Sequence, residues 1–322
     1  MTAHPRALAE ETVAPDEAAL TAEFVAFLQA VSAKRYPSGI IPRFNQGRAA
    51  GCVNAEFTVA EGLPPELRVG LFSEPRTYLA RIRFANATSQ SDEERDVRGM
   101  SIKISGVNGA NLTPGESHQD LILNSYPVMM VGATREFLAL LRAVEAGGAR
   151  AALFFLSRPR AAAVAFASRQ HATSHLELPY WSTTPYLFGT GRAVKYIARP
   201  SSTRTTPLPA PLTSAYLAER LSTHLARDEA HFDFFVQFQT DSRKMPIEDA
   251  SVEWRERDSA YRRVAHIRIP TQTVDGPSAA ASCEELSFNP WHALSDHRPL
   301  GGFNRARRDI YRAMASFRGQ RR

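Results

Sequence analysis

Between Cys52 and about Phe137 the chain is a succession of short, partly alternating apolar runs, and that pattern limits the possible folds more than any other feature. CVNAEFTV, TYLARIRFAN, GMSIKISGV and DLILNSYPVMMV are separated by Gly, Pro, Asn or Ser clusters, which is how strands and their turns read. AHFDFFVQFQTD and YRRVAHIRIP read as two further strands, and PYWSTTPYLFGTGRAVKYIARP is extended and aromatic. Helical text stands apart from these. Leu20, Phe24, Phe27, Leu28 and Val31 carry the spacing of an amphipathic helix from Asp16 to about Tyr36. The stretches from Thr134 to Phe155 and from Pro159 to Ala172 are rich in Ala, Leu and Arg and read as helices, and Leu217 to Leu225 as a short one. Thr206 to Pro211 is a connector, and SFNPWHALSDHRPLGGF is a Pro/Gly-rich loop leading to a last helix from about Asn304 to Arg318. Six or more strands without strand–helix–strand alternation imply an α+β fold with a mainly antiparallel sheet or barrel.

Composition excludes several classes. At 322 residues and 43% hydrophobic, the chain can bury a large core, and it holds no apolar run of membrane-spanning length. Its net charge of +6 is local: seven arginines and one acid, Asp309, lie between Arg305 and Arg322. A nucleic-acid partner would call for a wider basic surface, so none is expected. Residues 1–15 are polar and expected to be disordered, with no basic-then-apolar leader, which places the protein in the cytoplasm. Cys52 and Cys283 have no metal or redox spacing, so neither a disulfide framework nor a zinc site is expected, and Cys52 reads as a small buried hydrophobe.

Chemistry concentrates in the last helix. Arg307, Tyr311 and Arg318 stand at i, i+4 and i+11 and share one helix face. A guanidinium one turn from a phenol favours the phenolate, a hard anionic ligand for ferric iron. Arg318 could take a carboxylate in bidentate fashion. Taken alone, the helix reads first as a solvated basic face with a tyrosine packing its ring.

Other segments alter that balance. NRARRDIYRAMASFR resembles the proximal segment of the catalase superfamily, with Tyr311 at the place of the axial ligand, Arg307 at that of the arginine polarising it, and Arg318 at that of a propionate-binding arginine. IPRFNQGRAAGCVNAEFTV resembles the distal segment, Arg-x-x-His-x-Lys-x-x-Gly, read here as Arg43, Gln46, Arg48 and Gly51. RIRFANATSQSDEERDVRGMSIKI places Arg83 at a second propionate-binding position, and LILNSYPVMMV places Asn124 at the distal asparagine. Phe137 matches a phenylalanine flanking the heme, and Phe288 in FNPW the family's Phe-x-Pro. HFDFFVQFQTDSRKMPIEDASVEWRE and PYWSTTPYLFGTGRAVKY look like the short catalase-related proteins. The resemblance implies heme b (iron protoporphyrin IX) in an antiparallel β-barrel with helices around it. It implies a helical arm over 16–42 and a heme-binding domain over 43–322, without a C-terminal flavodoxin-like domain. It further implies that the arginines of the tail neutralise the propionates and hold the phenolate charge.

Three departures bear on activity. Gln46 stands where the distal histidine is expected, Ala85 where a serine supports it, and Met129 and Met130 where aromatic residues face the heme. An amide does not titrate near neutral pH, so the proton relay of a true catalase is lost. His118 reads as a loop residue rather than a substitute base. The chain also ends eleven residues after Tyr311, so a narrow peroxide channel is not expected and a larger substrate is. The reading is a heme oxidoreductase or isomerase acting on an organic, including lipid, hydroperoxide, with Gln46 and Asn124 as its catalytic pair. The alternatives are a heme enzyme acting on a nitrogen-containing metabolite, or a non-enzymatic heme binder. A homo-oligomer stays open, and stable membrane insertion is not expected.

Overall fold

A computed structural model describes residues 7–274 and 276–320. The sheet is antiparallel throughout, formed by β1 (Ala49–Val59), β2 (Thr77–Asn86), β3 (Arg98–Ser105), β4 (His118–Asn124), β5 (Tyr180–Trp181), β6 (Tyr186–Leu187), β7 (Ala193–Pro200), β8 (Ala230–Phe238) and β9 (Arg262–Ile269). The order β5-β4-β3-β2-β1-β9-β8-β7 closes through a β5–β7 pairing, giving an eight-stranded barrel with β6 attached to β7. Every strand predicted from the alternation is present.

Closure follows from the period of two. Val53, Ala55, Phe57 and Val59 of β1, Ile82 and Phe84 of β2, Met100 and Ile102 of β3, and Leu121 and Leu123 of β4 meet Phe232 and Phe234 of β8 in one buried cluster. Phe57 and Phe234 meet edge to face with ring centroids 5.2 Å apart. Each such ring, buried, contributes about 1.5–3 kcal/mol.

Around the barrel lie α1 (Glu17–Arg35), α2 (Thr134–Glu145), α3 (Gly148–Leu156), α4 (Pro159–Ser168), α5 (Tyr216–Leu225), α6 (Pro277–Glu285) and α7 (Gly302–Gly319). Leu20, Phe24 and Leu28 of α1 pack with Leu138 of α2 and Met314 of α7, as the spacing in α1 requires. The single helix expected from Thr134 to Phe155 is two, because Gly147 adopts φ +107°, a conformation that only glycine takes readily. The stretch containing α6 had no helical periodicity, and that helix was not expected.

Two corrections concern the ends and the cysteines. Cys52 of β1 and Cys283 of α6 form a disulfide, with Cα atoms 5.4 Å apart, where no disulfide was expected. They lie 231 residues apart in sequence, so no local spacing could announce the pair. Of the N-terminal segment expected to be disordered, residues 1–6 lie outside the described residues. Ala9 N donates to Gln239 Oε1 (2.7 Å) and Thr12 N to Glu248 Oε1 (2.8 Å), so the remainder is tied to the body.

Candidate active site

The inward side chains of β2, β3 and β4 fill the barrel, so the alternate residues form an outer face, and this face carries the site. Cross-strand register sets Ala85 beside Gly99 and Gly99 beside Asn124, and, in the next row, Arg83 beside Ser101 and Ser101 beside Ile122. In these two rows every residue but Asn124 is buried.

Gln46 lies over the first row. A Cβ on Gly99 would come within 2.4 Å of its amide, so glycine there makes the seat. Gln46 Nε2 points to Asn124 Oδ1 at 3.4 Å, and Ser101 Oγ donates to Gln46 Oε1 at 3.4 Å. The two residues expected to act together are thus brought together. Ala85, standing where a serine was expected, is buried, but a hydroxyl reaches Gln46 all the same: Ser101 supplies it from the neighbouring strand. Gln46 has φ +56°, a conformation rare in non-glycine residues and concentrated at functional sites. His118 is the first residue of β4, not a loop residue, and lies at the end of that strand away from Asn124.

Three arginines converge on one carboxylate. Arg43 Nη1 pairs with Glu284 Oε2 at 2.7 Å, Arg318 Nη2 reaches the same oxygen at 3.5 Å, and Arg83 Nη2 reaches Oε1 at 3.5 Å. Arg83 is 1% exposed, and its Nε is buried without a hydrogen-bond partner. Burial first, and then the charge of Arg43, push the Arg83 guanidinium down to about 10, while Glu284 works the other way. Three cations gather around one carboxylate and Arg83 Nε is a buried donor left over, a setting that suits the carboxylates of a porphyrin. Glu284 was not singled out from the sequence; it lies in the unexpected α6, beside the disulfide.

Tyr311 and Arg318 lie two turns apart on α7. Tyr311 is half-buried, and among the described residues no hydrogen bond engages its hydroxyl. Arg307 does not bond it either. Arg307 Nη1 donates to Thr184 Oγ1 (3.1 Å) and Asn304 Oδ1 (3.2 Å), and Asn304 is anchored on Pro185 O (2.9 Å). The buried Tyr186 senses the same group: burial raises its hydroxyl to about 12, Arg307 opposing and Tyr311 reinforcing the rise. Thr184 and Tyr186 belong to PYWSTTPYLFGTG, noted only as a resembling segment.

The basic tail divides differently from expectation. Arg305 binds Glu11, Glu17 and Glu248 (2.5, 2.7 and 3.0 Å), while Arg308 and Arg312 pair with Asp309 at the surface. Arg321 and Arg322 lie outside the described residues. Arg307 and Arg318 are the described arginines of the tail that face the site. Phe137 packs against Phe24 and Phe303 (centroids 6.0 and 5.8 Å) and Phe288 lies under Lys103 Nζ at 5.4 Å, so neither contact joins them to Gln46 or the arginines.

No protein-family model matches the chain, and a search of curated proteins found no relative. Solved structures do match. A fungal catalase superposes with a TM-score of 0.71 at 15% identity, over 91% of this chain and 62% of that one. A bacterial catalase gives 0.68 at 13% identity, over 91% and 60%. Catalase A from Saccharomyces cerevisiae gives 0.71 at 14% identity, over 99% and 68%. The chain therefore spans less than two thirds of the fungal and bacterial catalases. With its closed eight-stranded antiparallel barrel and surrounding helices, it has a catalase-like fold.

Proposed function

We propose that this protein is a heme-dependent oxidoreductase or isomerase acting on organic hydroperoxides, lipid hydroperoxides among them, with weak or no turnover of hydrogen peroxide. The observation that carries the reading is the convergence of Arg43, Arg83 and Arg318 on one carboxylate, two turns along α7 from Tyr311. Those arginines would hold the propionates of heme b, and Tyr311 would ligate its iron. Phe137 and Phe288 would flank the ring. Bound there, heme would supply a ferric centre able to break an O–O bond.

The chain's own part lies in how it holds substrate and proton. Gln46 and Asn124 carry amide donors and acceptors, so they can grip a hydroperoxide without removing its proton. Ser101 fixes the carbonyl of Gln46 and thereby decides which way its amide N–H points. Decomposing hydrogen peroxide calls for a base that passes a proton from one oxygen to the other, a contribution of about 10²–10⁴ in rate. Homolytic cleavage of an organic hydroperoxide needs less proton shuttling and so suits an amide pair.

Among the described residues no helix is long and apolar enough to cross a membrane. A cytoplasmic location and the Cys52–Cys283 disulfide pull apart, because reducing compartments keep such pairs open. The reading is tested by assaying hemin-loaded protein against hydrogen peroxide, cumene hydroperoxide and a fatty-acid hydroperoxide. Organic substrates should turn over well above free hemin; activity no greater than free hemin across the panel ends the proposal.

A further inference from the structure

The outer face that carries Asn124 at one end of β4 carries a second group of side chains at the other. His118 and Asp120 alternate with the buried Gln119 and Leu121 there, and the loop after α6 lies alongside. Asp120 N donates to His292 O (2.8 Å) and Leu112 N to Ala293 O (2.8 Å), so backbone bonds fix this loop to both ends of the strand's approach. The result brings together side chains 174 residues apart. His118 Nε2 stands 3.1 Å from His292 Nδ1, with the rings at 82°, and His118 Nδ1 lies 3.0 Å from Glu116 Oε2.

We propose that Glu116, His118 and His292 form a binding site for a divalent transition-metal ion of the zinc class, independent of the heme reading. One donor atom from each of the three residues lies within 4.8 Å of the others. Two ring nitrogens 3.1 Å apart come near the donor separation of a tetrahedral ion, about 3.3 Å for bonds of about 2.0–2.1 Å. Two imidazoles and a carboxylate are the donors such ions select, where oxygen-only sets select calcium or magnesium. The side chain of Glu116 is 37% exposed, which leaves an entry path from solvent.

The surroundings are those of a supported site. Asp120 is fully buried, accepts from Asn289 N (2.9 Å) and lies 2.9 Å from His292 Nδ1, so an ion held by that nitrogen would take the place of the proton between them. Lys103 Nζ at 2.7 Å neutralises Asp120, so Glu116 alone adds a negative charge to the ligand set. The same loop is bound to α7 through Trp291 Nε1 to Asn304 O (2.6 Å) and Asn289 Nδ2 to Arg308 O (3.2 Å). An ion at this place would therefore brace the helix that presents Tyr311.

The test is a titration of the full chain with Co²⁺, read by its visible absorption, with Zn²⁺ as competitor. One equivalent should bind with tetrahedral-type bands, be displaced by Zn²⁺, and raise the melting temperature. His118→Ala and His292→Ala should each weaken binding at least tenfold. His231→Ala, which breaks a separate histidine pair with His266, should leave it unchanged. Absence of sub-millimolar binding, or binding that survives both His118→Ala and His292→Ala in folded protein, overturns the site. So does loss of binding in His231→Ala.

Discussion

The two ends of the site are built on opposite electrostatic principles. Around Gln46 and Asn124 the groups are neutral amides with a hydroxyl, held by long hydrogen bonds over Gly99. Around Glu284 three arginines crowd one carboxylate, one of them almost wholly buried. A buried charge is costly unless paired, so the arginine cluster depends on the carboxylate it surrounds. The amide pair costs little and titrates nowhere near neutral pH. One end is made to hold charge; the other is made to contact a substrate without exchanging protons with it.

Several changes would break or sharpen that contrast. The largest effect is expected at the neutral end. Gln46→His with Ala85→Ser should raise hydrogen peroxide turnover of the heme-loaded protein by about 10²–10⁴ and introduce a pH dependence near the imidazole's range. The parent should show a flat profile there. A double variant as slow as the parent would mean that the amide is not what suppresses the catalase reaction. Since Ser101 already reaches position 46, Gln46→His alone should recover part of the gain.

Next comes the tether of the charged end. Replacing both Cys52 and Cys283 by Ala should lower unfolding free energy by about 2–5 kcal/mol in denaturant titration, since the bridge closes a very long loop. Arg83→Met removes the buried cation with the unpartnered Nε, and should weaken hemin binding by roughly 10–150-fold, the worth of about 1.5–3 kcal/mol for hydrogen bonds to a charged group. The smallest effect is expected from Glu284→Gln. It removes a carboxylate that competes for the arginines and should tighten hemin binding about tenfold. Weaker binding in Glu284→Gln would show that Glu284 supports the cradle rather than occupying it.

What could be read from the chain followed period and local chemistry. The alternation in TYLARIRFAN and GMSIKISGV was enough to place β2 and β3, and the matching segments brought Gln46 and Asn124 to one place. What escaped depends on register or on long-range closure. Ser101 supports Gln46 only because β3 lies beside β2 with Arg83 opposite Ser101, a pairing that no single segment displays. Glu284 and Cys283 belong to a short Ala/Ser-rich helix without an apolar stripe, and their partners Arg43, Cys52 and Arg83 lie more than two hundred residues away. The arginines of the tail looked alike in sequence, yet Arg305 is engaged by three carboxylates that come from the N-terminal segment, α1 and the loop after β8. The signal that could have found Thr184 is its place in an aromatic, Thr/Pro-rich segment too irregular to be a plain strand.

All of this depends on whether the Tyr311 oxygen holds a ferric porphyrin. The direct measurement is the absorption spectrum of the hemin-loaded protein beside that of Tyr311→Phe, each with its hemin affinity. The account predicts a ferric, phenolate-type spectrum in the parent that is lost in Tyr311→Phe, with the rest of the fold intact. A parent that takes up no hemin, or a variant whose spectrum matches the parent's, would contradict it.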